Sequence, residues 1–182
     1  MQLTPTLWRT ARVLAGPTRL ALLRRIVETP NRCVTDLAAE IRVSEPRASQ
    51  ELRRLQSRGL VQMVRTGQWT RYRPVTDPKV LSAKPLLAAA KESFAKWPDE
   101  ETRRVAHAFG HERRLKIVQL LQKGAHGSAE LRKHGALSRP ALFRHLAVLQ
   151  AGGMVRRAHC GWERVANPHP LAQTMLRLLA AE

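Results

Sequence analysis

A self-similarity spaced 93 to 95 residues apart constrains this chain more than anything else in it. Arg19-Leu20 recurs as Arg114-Leu115, 95 positions on, and Ser44-Glu45-Pro46 recurs as Ser138-Arg139-Pro140, 94 positions on. Gly67 and Trp69 find partners in Gly161 and Trp162, 94 and 93 positions on. The features come in the same order in both halves, and drifts of one residue are what small loop deletions produce. A repeat of this period means that one structural unit is built twice.

Each copy reads as helices followed by a short hairpin. Leu20, Leu23, Ile26 and Val27 fall at helical spacing in the first copy, and Leu115, Val118 and Leu121 repeat that stripe in the second. A shorter helix is expected over 36–41, with Leu131 marking its partner. Ser44 is placed to cap a further helix whose first turn holds Pro46, where a missing N–H costs little. Ala48, Leu52 and Leu55 form that helix's inward stripe, as do Leu142, Leu146 and Leu149 in the second copy. Gly59 and Gly152-Gly153 stop these helices. Strands are expected over 60–64 and 69–75, then over 154–159 and 162–166. Trp69 and Trp162 are both expected to pack beneath their hairpins. The fold class is therefore mainly α with small β-hairpin wings, as two tandem winged helix-turn-helix domains forming a pseudo-dimer.

The ordered set resembles the ArsR-type winged helix-turn-helix transcriptional regulators, as a tandem duplication in one chain. The stretch from Leu14 to Leu20 (LAGPTRL) looks like that family's opening helix junction. Ser44 to Leu52 (SEPRASQEL) is similar to its recognition helix, and Gly67 to Tyr72 (GQWTRY) to its wing. The second copy is similar at Ser138 to Leu146 (SRPALFRHL). The resemblance implies a repressor that binds double-stranded DNA, with terminal helices that pair about a two-fold axis.

Charge agrees. Of 182 residues, 32 are Lys or Arg and 14 Asp or Glu, for a net +18. Residues up to Trp97 hold 18 basic and 7 acidic side chains and the remainder 14 and 7, so each half is separately basic. That distribution suits two surfaces for one polyanion rather than a single basic tail. Two cysteines, Cys33 and Cys160, are too few for a disulfide framework, and no apolar run approaches the roughly 18 residues of a membrane span. The expected setting is cytoplasmic and nucleoid-associated, with no membrane partner.

A B-DNA major groove, about 12 Å wide, admits one α-helix. Residues off the inward stripe of the capped helix should face it. In the first copy these are Arg47, Ser49 and Gln50, with Glu51 beside them and Arg53 and Arg54 further along toward phosphates. In the second they are Arg139, Ala141, Phe143, Arg144 and His145. On the wings, Arg65, Arg71, His159 and Arg164 are the expected backbone contacts. The resemblance places Arg47 and Arg144 at positions the family uses.

Between the copies, Leu87, Ala90, Phe94 and Trp97 share one face of an expected bridging helix, Asp99 is a candidate N-cap, and Leu171, Met175 and Leu178 form a stripe at the C-terminus. Bridge and last helix are expected to pack together, giving domains 1–97 and 98–182 and a monomeric pseudo-dimer, with further dimerisation left open. No metal site and no cofactor are expected. The family's Cys-Val-Cys-Asp metal run stands here as Cys33-Val34-Thr35-Asp36, and His107 with His111 is the single histidine pair at ligand spacing. No phosphate-cradling loop, zinc-protease run or nucleophile elbow suggests an enzyme. The alternative function is a tandem winged-helix adaptor for proteins of a chromosome or polymerase complex.

Overall fold

The computed structural model describes residues 7–124 and 127–181. Helix α1 (Leu7–Leu14) buries Leu7, Thr10, Ala11 and Leu14, a stripe of helical period. Extended Gly16 and Pro17 then open α2 (Pro17–Glu28), where proline's fixed φ suits the first turn. Strand β1 (Arg32–Cys33) leads into α3 (Val34–Glu40), and α4 (Glu45–Gln56) follows. A hairpin of β2 (Gln62–Thr66) and β3 (Trp69–Arg73) precedes the bridge α5 (Ala83–Lys96). The series recurs as α6 (Asp99–Phe109), α7 (Glu112–Gln122), α8 (Ser128–Gly135), α9 (Arg139–Ala151), β4 (Val155–Ala158), β5 (Gly161–Arg164) and α10 (Pro170–Ala180). The turns between α3 and α4 and between α8 and α9 each hold a left-handed residue, Arg42 (φ 56°) and Ala136 (φ 49°). These lie 94 positions apart, so the backbone repeats as the sequence does.

Several local expectations are corrected. Ser44 occupies the N-cap of α4 but makes no side-chain capping bond, whereas the Ser138 hydroxyl accepts one from Ala141 N at 3.4 Å. Pro98, not Asp99, caps α6. The Asp99 carboxylate instead accepts from Arg24 Nε at 2.9 Å, while Arg24 also donates to the Phe94 carbonyl at 2.8 Å. Arg24 therefore fastens α2 to the α5–α6 junction.

The first wing is a three-stranded sheet in the order β1-β3-β2, and the second has two strands among the described residues. Strand β1 escapes a search for periodicity because it is two residues long. It is held by Asn31 (φ 70°), whose carbonyl accepts from Arg71 at 2.8 Å and whose side-chain oxygen accepts from Arg73. The corresponding stretch of the second copy includes residues 125 and 126, which lie outside the described ones.

Trp162 is buried as expected, but Trp69 is 51% exposed. The hairpins close at Thr66↔Trp69 and at Ala158↔Gly161, so Trp69 is equivalent to Gly161 and Trp162 to Thr70. The one-residue drift between the two tryptophans is thus a change of face, since neighbouring strand positions point opposite ways. Thr70 and the buried Tyr72 share the inward face in the first wing.

One buried apolar cluster runs through both copies. Helix α1 packs against α6, its own repeat, and α5 packs against α10, also its repeat. A side chain on Gly110 would meet the Arg12 backbone at 3.1 Å, so α6 needs glycine where it follows α1 closely. The bridge buries Leu86, Leu87, Ala89, Ala90 and Ser93, leaving Phe94 and Trp97 half-buried. Trp97 meets the His169 ring at 5.0 Å. His169 caps α10 by accepting from Leu171 N at 3.2 Å, and its Nε2 lies 3.2 Å from the Thr102 hydroxyl.

Candidate nucleic-acid interface

Helices α4 and α9 each follow the turn of a helix-turn-helix and each bury the expected stripe: Ala48, Leu52 and Leu55, then Leu142, Leu146 and Leu149. The opposite faces are cationic. On α4, Arg47, Gln50 and Arg53 are exposed and Ser49 is half-buried, and the Arg47 guanidinium reaches the Thr18 hydroxyl at 3.4 Å. On α9, Arg139, Phe143 and Arg144 are exposed and Ala141 is half-buried, with the Arg139 guanidinium 6.0 Å from the centre of the Phe143 ring. Among the described residues neither Arg47, Arg53, Arg139 nor Arg144 has a carboxylate partner, so their charge is available to a ligand.

Two side chains expected at the groove turn inward. Glu51 follows Ala48 by three residues, which puts it on the buried stripe. It is 8% exposed, and its oxygens accept from Arg19 at 2.7 Å and Arg54 at 2.9 Å. Its charge is therefore neutralised and does not face a phosphate. His145 stands at the equivalent position 94 residues on, and its ring faces His111 at 4.8 Å between centroids. Burial first, then the His111, Arg114, Arg113 and Arg144 charges, drives the His145 pKa down to about 4, so its imidazole is neutral at pH 7.

The arginine behind this position is constant and its partner is not. Arg19 Nε donates to the Val13 carbonyl at 2.7 Å, and Arg114 Nε donates to the Ala108 carbonyl at 2.7 Å, the same reach of six residues back. In the first copy Arg19 then meets the Glu51 carboxylate. In the second Arg114, 7% exposed, meets only carbonyls among the described residues, and burial with Arg12 lowers its pKa to about 10. Position 19/114 is thus a structural arginine fastened to the end of the preceding helix, and in the first copy it also ties the recognition helix there through Glu51.

On the wings, Arg65 and Arg71 project from opposite faces, since Arg65 pairs with Thr70 and Arg71 with Val64. Arg71 is committed to the Asn31 carbonyl, while Arg65 is exposed. His159 sits exposed in the second wing's turn, and Arg164 is exposed at its base opposite Val155. Sequence reasoning missed Arg156 and Arg157 on β4, both exposed, with Arg156 paired to Glu163. The adjacent basic doublet before the turn was the signal that could have found them.

No group of three or more His, Cys, Asp or Glu side chains among the described residues is arranged to hold a metal ion. His111 packs its ring against His145, and its Nδ1 accepts from Arg113 N at 3.1 Å. The half-buried Cys33 thiol, with Arg32 and Arg71 nearby, holds the Asp36 carboxyl below its usual range. No helix among the described residues is long and apolar enough to cross a membrane.

The family described as bacterial regulatory proteins of the arsR family matches this chain twice, over residues 16–63 and 111–157. Each match runs from the start of the helix preceding the helix-turn-helix into the wing, so one matched segment falls in each copy of the repeat. A Halobacterium salinarum protein that carries the name arsenical resistance operon repressor ArsR2 is 41% identical over 69 residues, covering 37% of this chain and 58% of that protein. The chain therefore spans little more than half the length of this relative. No solved structure matches.

Proposed function

The chain belongs to the arsR family of bacterial regulatory proteins, and from that premise we propose that it is a double-stranded DNA-binding transcriptional repressor whose one chain does the work of a dimer. The observation that carries this is the pairing of α4 with α9. Both bury an apolar stripe and both present arginines that, among the described residues, have no carboxylate partner, in a molecule where each terminal helix packs on its own repeat. Residues 1–97 and 98–182 form the two units, and each inserts its recognition helix into one of two successive major grooves. Arg47, Ser49 and Gln50 read or approach one half-site, with Arg53 on phosphates. Arg139, Ala141, Phe143 and Arg144 do so at the other, and Arg65, His159 and Arg164 reach the backbone from the wings. Arg54, Arg71 and His145 are given no DNA contact in this proposal, because each already meets another group of the protein: Glu51, the Asn31 carbonyl and the His111 ring. The arsenical response in the relative's name forms no part of this reading.

The test is binding to random duplex DNA across a salt series. Neutralising about six phosphates should make log K fall with log[salt] at a slope of about −5. Binding indifferent to salt, or no retention on heparin, would point instead to the protein-interaction adaptor.

A further inference from the structure

Beside the recognition helix of the first copy, and away from its outer face, lies a cleft of about 440 Å³. Its walls include Trp8, Arg9 and Arg12 of α1, Arg19 of α2, Arg54 of α4 and Arg58 in the turn that follows it. Five guanidinium groups thus share one concavity. Glu51 is the carboxylate that two of them, Arg19 and Arg54, already divide. Among the described residues Arg9, Arg12 and Arg58 have no ion-pair partner, and Arg9 lies 5.2 Å from the centre of the Trp8 ring. Bringing like charges together opposes folding unless a counter-charge joins them. Burial and the neighbouring Arg9 depress the Arg58 pKa, in keeping with that crowding.

Among the described residues the equivalent place in the second copy is closed by packing. Positions 54 and 58 recur there as Val148 and Gly152. A side chain on Gly152 would come within 2.6 Å of the Ala108 Cβ and 3.2 Å of the Arg104 carbonyl, so α9 presses directly on α6. What is closed by contact in one copy is open and cationic in the other. A surface for gripping the duplex backbone would be wanted on both copies and on protruding side chains. This one is recessed, and its equivalent place in the second copy is closed at Gly152.

We propose that the cleft between α1 and the end of α4 is a binding site for a small, free, multiply phosphorylated anion, with Arg9, Arg12 and Arg58 as its principal contacts. Guanidinium groups converging from two helices match the oxygens of linked phosphates, each charge-assisted bond being stronger than a neutral one. The inference does not depend on the DNA reading, because none of these three arginines belongs to the DNA-facing set.

Inorganic tripolyphosphate is the probe, titrated calorimetrically into the full chain, with duplex DNA binding measured alongside. Arg58→Gln and Arg12→Gln should each weaken saturable tripolyphosphate binding about tenfold, while DNA affinity stays within about twofold. A control lacking two exposed bridge cations, Lys84→Gln with Lys91→Gln, should bind the anion like the parent. Arg12 is exposed on α1, so its variant decides the matter should Arg58→Gln lose its fold by circular dichroism. Equal weakening in the cleft variants and the control would overturn the site as mere surface charge. Loss of DNA affinity in the cleft variants, with no saturable anion binding by the parent, would overturn it by assigning the cleft to backbone phosphate.

Discussion

At the scale of single residues, the two recognition helices are set apart by what stands three positions beyond the first buried stripe residue. Glu51 gives Arg19 a counter-charge, and His145 gives Arg114 none. The outward arginines next to them are the functional expectation. Arg144→Ala and Arg47→Ala should each weaken specific DNA binding by about 1–3 kcal/mol with native circular dichroism, if each reads a base edge. Loss of fold in either variant would show the helix phase to be wrong. His145 makes a separate prediction. Its folded pKa, about 4, lies below the ordinary value of 6.5, so the unfolded chain takes up the proton first. The stability it supports is fully present above about pH 6.5 and lost as pH falls toward about 4. His111, His107 and His169 are lowered in the same direction by burial first. Urea midpoints followed from pH 7 to pH 4.5 should drop more steeply for the parent than for His145→Gln. Parallel curves would remove His145 from the account.

At the scale of elements, the hairpins show both what a sequence reveals and where it misleads. The helices were legible because Leu20, Leu23 and Ile26 or Leu142, Leu146 and Leu149 repeat at a period only a helix satisfies. The wings were legible as hairpins, but their faces were not. A gap of one residue is invisible to a search for shared tryptophans, yet it moves a strand residue from the core to solvent. Glu51 was misplaced for a related reason. A charged residue beside a stripe reads as exposed until Arg19, 32 residues away, is known to meet it. Strand β1 left no trace because two residues carry no period. The corrected register has a measurable consequence. Trp162→Ala should cost about 3 kcal/mol or more in stability, as removal of a buried indole does. Trp69→Ala should cost less than about 1 kcal/mol. Chemical denaturation of both variants decides this, and similar losses would mean that the two wings share one register after all.

At the scale of the whole molecule, the repeat made the pairing of halves readable from sequence. The apolar face of the bridge was wrong for a flexible linker, and it packs on α10 as the stripe at Leu171 and Met175 required. What could not be read was the asymmetry, which depends on close approach: Gly152 against Ala108 in one copy, Arg54 and Arg58 beside Arg9 and Arg12 in the other. A homodimer presents two identical helices and reads a palindrome. Here Arg47, Ser49 and Gln50 stand against Ala141, Phe143 and Arg144 within one chain, so under the proposed function no symmetric site would suit both sets. The most direct test is selection of bound duplexes from a random pool, with the mass of the resulting complex measured in solution. One chain per duplex on a motif of two dissimilar half-sites, centred about 10 base pairs or a multiple apart, is the predicted result. Two chains per duplex on a palindrome would contradict it.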